Sequence, residues 1–194
     1  VFSEAVCTVS SVCGSNVFSS APDITVPNLD NGTTSGTLAA MTSSDNITWA
    51  GRFTPTANTE DASNTLSLTT SSYTDLAGNA GPSATTANYA IDTLLPTISS
   101  VTAGWGTYLN ATEDDSAGTV TVVTSGAENG QTVTVTLNST NYTGTVSDNS
   151  TAVTVAASGL QALTDGDNYT LTTNVSDAAG NAATVNTGTS FTYD

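Results

Sequence analysis

Thr74-Asp75-Leu76-Ala77-Gly78-Asn79-Ala80 returns as Ser176-Asp177-Ala178-Ala179-Gly180-Asn181-Ala182, with the two aspartates 102 residues apart (75 to 177). A second pair of anchors keeps the same step: Tyr89-Ala90-Ile91-Asp92 is echoed by Phe191-Thr192-Tyr193-Asp194. Two independent anchors with one period make an internal repeat, and its length is that of a small β-sandwich. Outward from the anchors the chain alternates as strands do. Residues 119–123, 132–137 and 152–155 set Val on one face and Thr on the other. Ile47-Thr48-Trp49 leading to Phe53, Leu66-Ser67-Leu68 and Tyr169-Thr170-Leu171 read the same way. No stretch carries a helical period, so the expected fold class is all-β.

Turns fall at Asp30-Asn31-Gly32, Ser44-Asp45-Asn46, Glu128-Asn129-Gly130 and Asp165-Gly166-Asp167-Asn168, residues that accept positive φ or bond their own backbone. In the second repeat this punctuation places strand A near 97–102, B at 119–123, C at 132–137, a short strand near 143–146, E at 152–156, F at 169–175 and G near 189–193. Pro96 follows Asp92-Thr93-Leu94-Leu95, a stiff extended entry that suits a boundary. Two tandem immunoglobulin-like β-sandwich domains are therefore expected, over 1–92 and 93–194. The first opens on Val1-Phe2-Ser3-Glu4-Ala5-Val6, the end of a strand B, and so is expected to lack its N-terminal strand or strands. A piece cut from a longer chain and a strand donated by a neighbouring subunit both account for that.

Composition narrows the function. Seventeen carboxylates face one cation, Arg52, with no Lys and no His, for a net charge of −16. Nucleic acid and anionic membranes bind through Lys and Arg, so neither is an expected partner. Cations are. Charged residues are only 9 % of the chain, so the surface is built from Thr, Ser, Asn and Gly, as in exported fibres, while 37 % apolar residues still fill narrow cores. No apolar run is long enough to span a membrane. No signal peptide precedes Val1, which reads as a processed or excised piece. Without His or Lys, the Ser–His, Cys–His and Ser–Lys nucleophile systems are excluded. Asp114 and Asp115 are adjacent in one loop, whereas glycosidase carboxylates face each other roughly 5–10 Å apart across a cleft. No enzyme is expected. Cys7 and Cys13, the only cysteines, are spaced for a local disulfide that implies an oxidising compartment, with two buried thiols as the alternative.

The stretches Phe2-Ser3-Glu4-Ala5-Val6, Ser44-Asp45-Asn46-Ile47-Thr48-Trp49, Phe53-Thr54-Pro55-Thr56-Ala57-Asn58, Tyr73–Gly81 and Tyr89-Ala90-Ile91-Asp92-Thr93 resemble the bacterial Ig-like extender repeats of giant biofilm and RTX-type surface adhesins. They cover most of the first repeat. In the second the match is confined to Asp177–Ala182 and the terminal strand with Asp194. The resemblance implies an extracellular or cell-surface spacer that carries an adhesive tip, partnered by neighbouring repeats of its own chain or fibre, with calcium at domain junctions. The segment between Cys7 and Cys13 departs from the pattern and leaves open a filament of exchanged strands.

Topology gives the calcium reading its residues. In an Ig-like sandwich the BC and FG loops lie at one end and the EF loop and exit at the other. Glu60 and Asp61 (EF) and Asp92 (exit) of the first repeat are thus expected to meet Glu128 (BC) and Asp177 (FG) of the second. Asp165, Asp167 and Asp194 repeat the lower set, with Glu113-Asp114-Asp115 nearby, and Asp75 and Glu4 repeat the upper one. Unneutralised carboxylates a few Å apart repel by about 1 kcal/mol per pair even in water-like dielectric. Ca²⁺ reverses that with about six to eight oxygen ligands in flexible geometry. The alternatives are solvated loops and, for Asp-x-x-Gly-Asn, a tight turn in which Asp bonds backbone amides.

Two further features have bland and sharp readings. Sequons at Asn31, Asn46, Asn110, Asn138, Asn141, Asn149, Asn168 and Asn174 suit a glycosylated fibre, yet a chain this rich in Ser, Thr and Asn generates several by chance. Trp49 alternates within its segment and reads as core, whereas Trp105 in Gly104-Trp105-Gly106 is either packing or the platform of a carbohydrate-binding module.

Overall fold

The computed structural model describes residues 1–8, 17–19, 23–29 and 32–194. They form two compact units, Val1–Thr93 and Leu94–Asp194. Cys13 and Asn31 lie outside the described residues.

Unit 2 is the better-filled sandwich. Its strands are β8 (Thr97–Ala103), β9 (Tyr108–Leu109), β10 (Gly118–Ser125), β11 (Thr132–Leu137), β12 (Thr140–Thr145), β13 (Ser150–Val155), β14 (Asn168–Val175) and β15 (Asn186–Tyr193). They make a three-stranded sheet, β13-β10-β8, and a five-stranded one, β12-β11-β14-β15-β9, antiparallel except for β9 against β15. The Val/Thr alternation is why these segments are strands: Val120 and Val122 of β10, Val133 and Val135 of β11, and Val153 and Val155 of β13 are all fully buried, with Thr between them. Leu109, Leu160, Leu171 and Phe191 complete the core. Trp105, in the turn after β8, packs on this core edge-to-face against Phe191 at 5.3 Å. Gly118 is required beneath it, because a Cβ there would meet the indole at 2.5 Å.

Unit 1 has shorter strands: β1 (Ile24–Thr25), β2 (Gly36–Leu38), β3 (Phe53–Pro55), β4 (Glu60–Asn64), β5 (Ser67–Leu68), β6 (Ala84–Thr85) and β7 (Tyr89–Asp92). These pair as β1-β5-β6, β2-β3 and β4-β7. The core is aromatic. Phe18 meets Trp49 at 4.8 Å, Phe2 at 5.2 Å and Tyr73 at 5.9 Å, and the Tyr73 hydroxyl donates to Pro82 O at 3.0 Å.

Four expectations are corrected. Residues 47–49 are not a strand: the Asp45 carboxylate accepts N–H bonds from Thr48 (2.7 Å) and Ile47 (2.9 Å) and the Ser43 hydroxyl, bending the chain. These donors, the Thr48 and Ile47 N–H groups first, lower the Asp45 pKa to about 2. Glu60 and Asp61 lie in strand β4 rather than a loop. The short strand near 143–146 is the six-residue β12, which forms a tight hairpin with β11. One helical turn, α1 (Ala157–Leu160), precedes β14 and buries Leu160; four residues are too few to leave a helical period in the sequence. Among the described residues no helix is long and apolar enough to cross a membrane.

Candidate metal centre

The carboxylates named from sequence fall into three local settings. In the first, Asp75 and Asp177 close matching turns. Asp75 Oδ1 accepts the N–H groups of Ala77 and Asn79, both at 2.8 Å, and Oδ2 accepts the Asn79 side-chain amide at 2.6 Å. Asp177 Oδ1 accepts Asn181 N–H at 2.8 Å and Oδ2 its amide at 2.9 Å. Gly78 and Gly180 turn the chain at φ +88° and +92°. Both carboxylates are buried. The Asn79 side-chain amide, then its N–H, hold the Asp75 carboxyl below the usual range. At Asp177, burial pushes the other way, but the Asn181 donors outweigh it and the carboxyl is again lowered.

In the second setting, strand pairing sets two acids face to face. Glu60 on β4 is the antiparallel partner of Asp92 on β7, and Asp61 pairs with Ile91. Directly opposed residues hold their Cβ atoms about 5 Å apart, so the two carboxylates share one face of the ladder. Thr93 closes this end, its N–H donating to Thr59 O at 2.7 Å and its hydroxyl to Thr56 O at 2.7 Å. Beside Glu60, but not lined by Asp92, a concavity of about 490 Å³ is bounded by Leu29, Asn58, Thr59, Glu60, Asp61, Ala62 and Ser63. Asp61 Oδ1 accepts the Ser63 N–H at 2.9 Å.

The third setting is in unit 2. Glu128 Oε2 accepts the N–H of Ala178 at 2.8 Å, tying the loop after β10 to the turn that Asp177 closes. Asp165, Asp167 and Asp194 are exposed around the last strand: Gly166 N–H donates to Tyr193 O, Tyr193 N–H to Asp167 O, and Asp194 N–H to Leu109 O. Of the Glu113-Asp114-Asp115 run that the sequence placed near this set, Asp114 is buried. Asp114 Oδ2 accepts the Tyr193 hydroxyl at 2.7 Å, and that bond above all raises the Tyr193 pKa. The signal was present as Glu113-Asp114-Asp115, but only folding shows which of the three turns inward.

Among the described residues no three metal-ligating side chains come together as one group. The Glu60–Asp92 pair, with the hydroxyl, amide and carbonyl oxygens of residues 58–63 next to it, is an all-oxygen donor set. That suits a hard cation such as Ca²⁺ and not a thiophilic metal.

Residues 18–91 match the family model of the bacterial Ig-like domain. At 33 % identity the chain covers 96 % of a bacterial immunoglobulin-like domain from the M. primoryensis ice-binding adhesin, over 49 % of its own length, with a TM-score of 0.36. A structure from a 1.5-MDa bacterial ice-binding adhesin, concerned with retention on the host cell surface, is 32 % identical over 69 % of this chain and 42 % of its own, with a TM-score of 0.41. A Ca²⁺-stabilised adhesin with which an Antarctic bacterium reaches out and binds ice is 30 % identical over 69 % of this chain and 32 % of its own, also with a TM-score of 0.41. The relationship rests on sequence identity, since superposition is weak. No curated protein matches.

Proposed function

Because the chain belongs to the bacterial Ig-like domain family, we propose that it is an extender segment of a microbial surface adhesin, exposed outside the cell and stiffened by Ca²⁺. The observation that carries the calcium reading is the opposition of Glu60 and Asp92 across β4 and β7. Like charges directly opposite in a ladder are destabilising, and a divalent cation between them converts repulsion into cohesion. The ion fixes the last strand of unit 1, next to Thr93, so the spacer role and the ion are one mechanism. Glu60 and Asp92 supply the charged ligands, and oxygens of residues 58–61 and water complete the shell. Asp75 and Asp177 act as turn locks, because their oxygens already serve Asn79 and Asn181.

The three similar structures support the family role, and one of those adhesins is described as Ca²⁺-stabilised. A Cys7–Cys13 disulfide belongs to the same reading: Cys7 is fully buried and no described cysteine is a free thiol.

The test is small-angle scattering and thermal melting of the chain in Ca²⁺ and in chelator. Both the maximum dimension and the melting midpoint should fall on chelation, and Asp92→Asn should remove the difference. Identical curves in the two buffers would leave these carboxylates as solvated surface.

A further inference from the structure

The first and last strands of unit 2 run side by side in the same sense. β9 is parallel to β15, with Tyr108 opposite Thr192 and Leu109 opposite Tyr193. Upstream, a Cβ on Gly188 of β15 would lie 3.5 Å from the Cβ of Val101 in β8, so the two courses stay together along their length. The start of β8 and the end of β15 therefore lie at opposite ends of this sandwich. Tension along the chain pulls β9 and β15 in opposite directions along their own axes. Bonds that cross between strands loaded in this way are strained together, whereas bonds in a pair opened from one end break one at a time.

The end of β15 is held from several sides. Across the parallel pair, Thr192 N–H donates to Thr107 O at 3.0 Å and Asp194 N–H to Leu109 O at 2.9 Å. From the loop before β14, Gly166 N–H donates to Tyr193 O at 2.8 Å, and Tyr193 N–H donates to Asp167 O at 3.1 Å. The Tyr193 hydroxyl adds its bond to the buried Asp114 Oδ2 at 2.7 Å. Asp114 is fixed in turn: its N–H donates to Asn110 O at 3.2 Å, and the Asn110 amide donates to Glu113 Oε2 at 2.8 Å. Asn110 directly follows β9, so the tyrosine ties the last strand to the continuation of the first. Hydrogen bonds with an ionised partner are the strong ones. In the first repeat the position 102 residues before Tyr193 is Ile91, which has no hydroxyl to offer.

We propose that β9 and the Thr192–Asp194 segment form a shear clamp, latched by Tyr193 on Asp114, through which unit 2 withstands tension applied along the chain. Its use rests on the extender reading, which puts the chain under load. Its geometry does not involve the calcium reading, because Glu60 and Asp92 lie in unit 1 and the clamp is made of hydrogen bonds.

The test is single-molecule force spectroscopy on the full chain with handles on Leu95→Cys and Asp194→Cys, both exposed, so that force passes through unit 2 alone. At constant force Tyr193→Phe should shorten the folded lifetime about tenfold, the loss of one bond to a charged acceptor. Its unfolding rate in denaturant should rise by less. Leu137→Ala should do the reverse, since it is buried on β11, which pairs with β12 and β14 and not with β15. Moving the first handle to Asp165→Cys, beside the end of β15, loads the same bonds in sequence and should lower the unfolding force. An unchanged lifetime in Tyr193→Phe, equal fold-changes under force and in denaturant, or equal forces in the two geometries overturns the proposal. Every measurement is made in Ca²⁺ and in chelator. A chain whose scattering ignores Ca²⁺ while its clamp variants behave as stated loses the calcium reading only.

Discussion

Asp177 is buried and yet ionised, because its carboxylate is enclosed by donors from Asn181 four residues on. A carboxyl whose folded pKa is depressed holds its proton more weakly in the native than in the unfolded chain. Its stabilisation is therefore complete above the ordinary Asp range near about pH 4 and is lost as pH falls below it. Melting midpoints between pH 2 and 6 should show that loss, and Asp177→Asn should flatten it. Gly180→Ala, at φ +92°, should cost about 1 kcal/mol although the added Cβ meets nothing, because the strain is in the backbone. The opposite sign is expected at Thr173, whose buried hydroxyl has no hydrogen-bond partner. Thr173→Val should raise the stability of unit 2 by about 1 kcal/mol in denaturant titration.

At the scale of elements, the proposed Ca²⁺ site rests on the β4–β7 pair. Three acids, Glu60, Asp61 and Asp92, were candidates from the sequence; the pairing register sets Glu60 opposite Asp92, while Asp61 lies opposite Ile91 and accepts the Ser63 N–H. Asp92→Asn should therefore stabilise the pair by about 0.5 kcal/mol in chelator, by removing a like charge, while losing the rise that Ca²⁺ brings. Denaturant titration in the two buffers reads both effects. In unit 2 the elements agree with their alternation almost residue for residue. The long Val/Thr strands were legible because each buries one face only; β1, β5 and β6, two residues each, are too short to carry a period and owe their state to their neighbours.

At the scale of the molecule, the two units differ in how much they bury. Among the described residues, eighteen buried residues form the core cluster of unit 2, against three in the cluster of unit 1, so unit 1 should melt first. Calorimetry should resolve the two transitions, with Leu171→Ala lowering only the upper one, by about 2–5 kcal/mol. The all-β class and the 102-residue repeat were determined by sequence alone, since alternation and spacing are written along the chain, whereas the tight turn of Asp-x-x-Gly-Asn stood there only as the alternative to a cation role. The partnership of Glu60 with Asp92 and the inward turn of Asp114 onto Tyr193 were decided only by tertiary structure. Each depends on which strands lie side by side, and register and packing between distant segments leave no local mark on the chain.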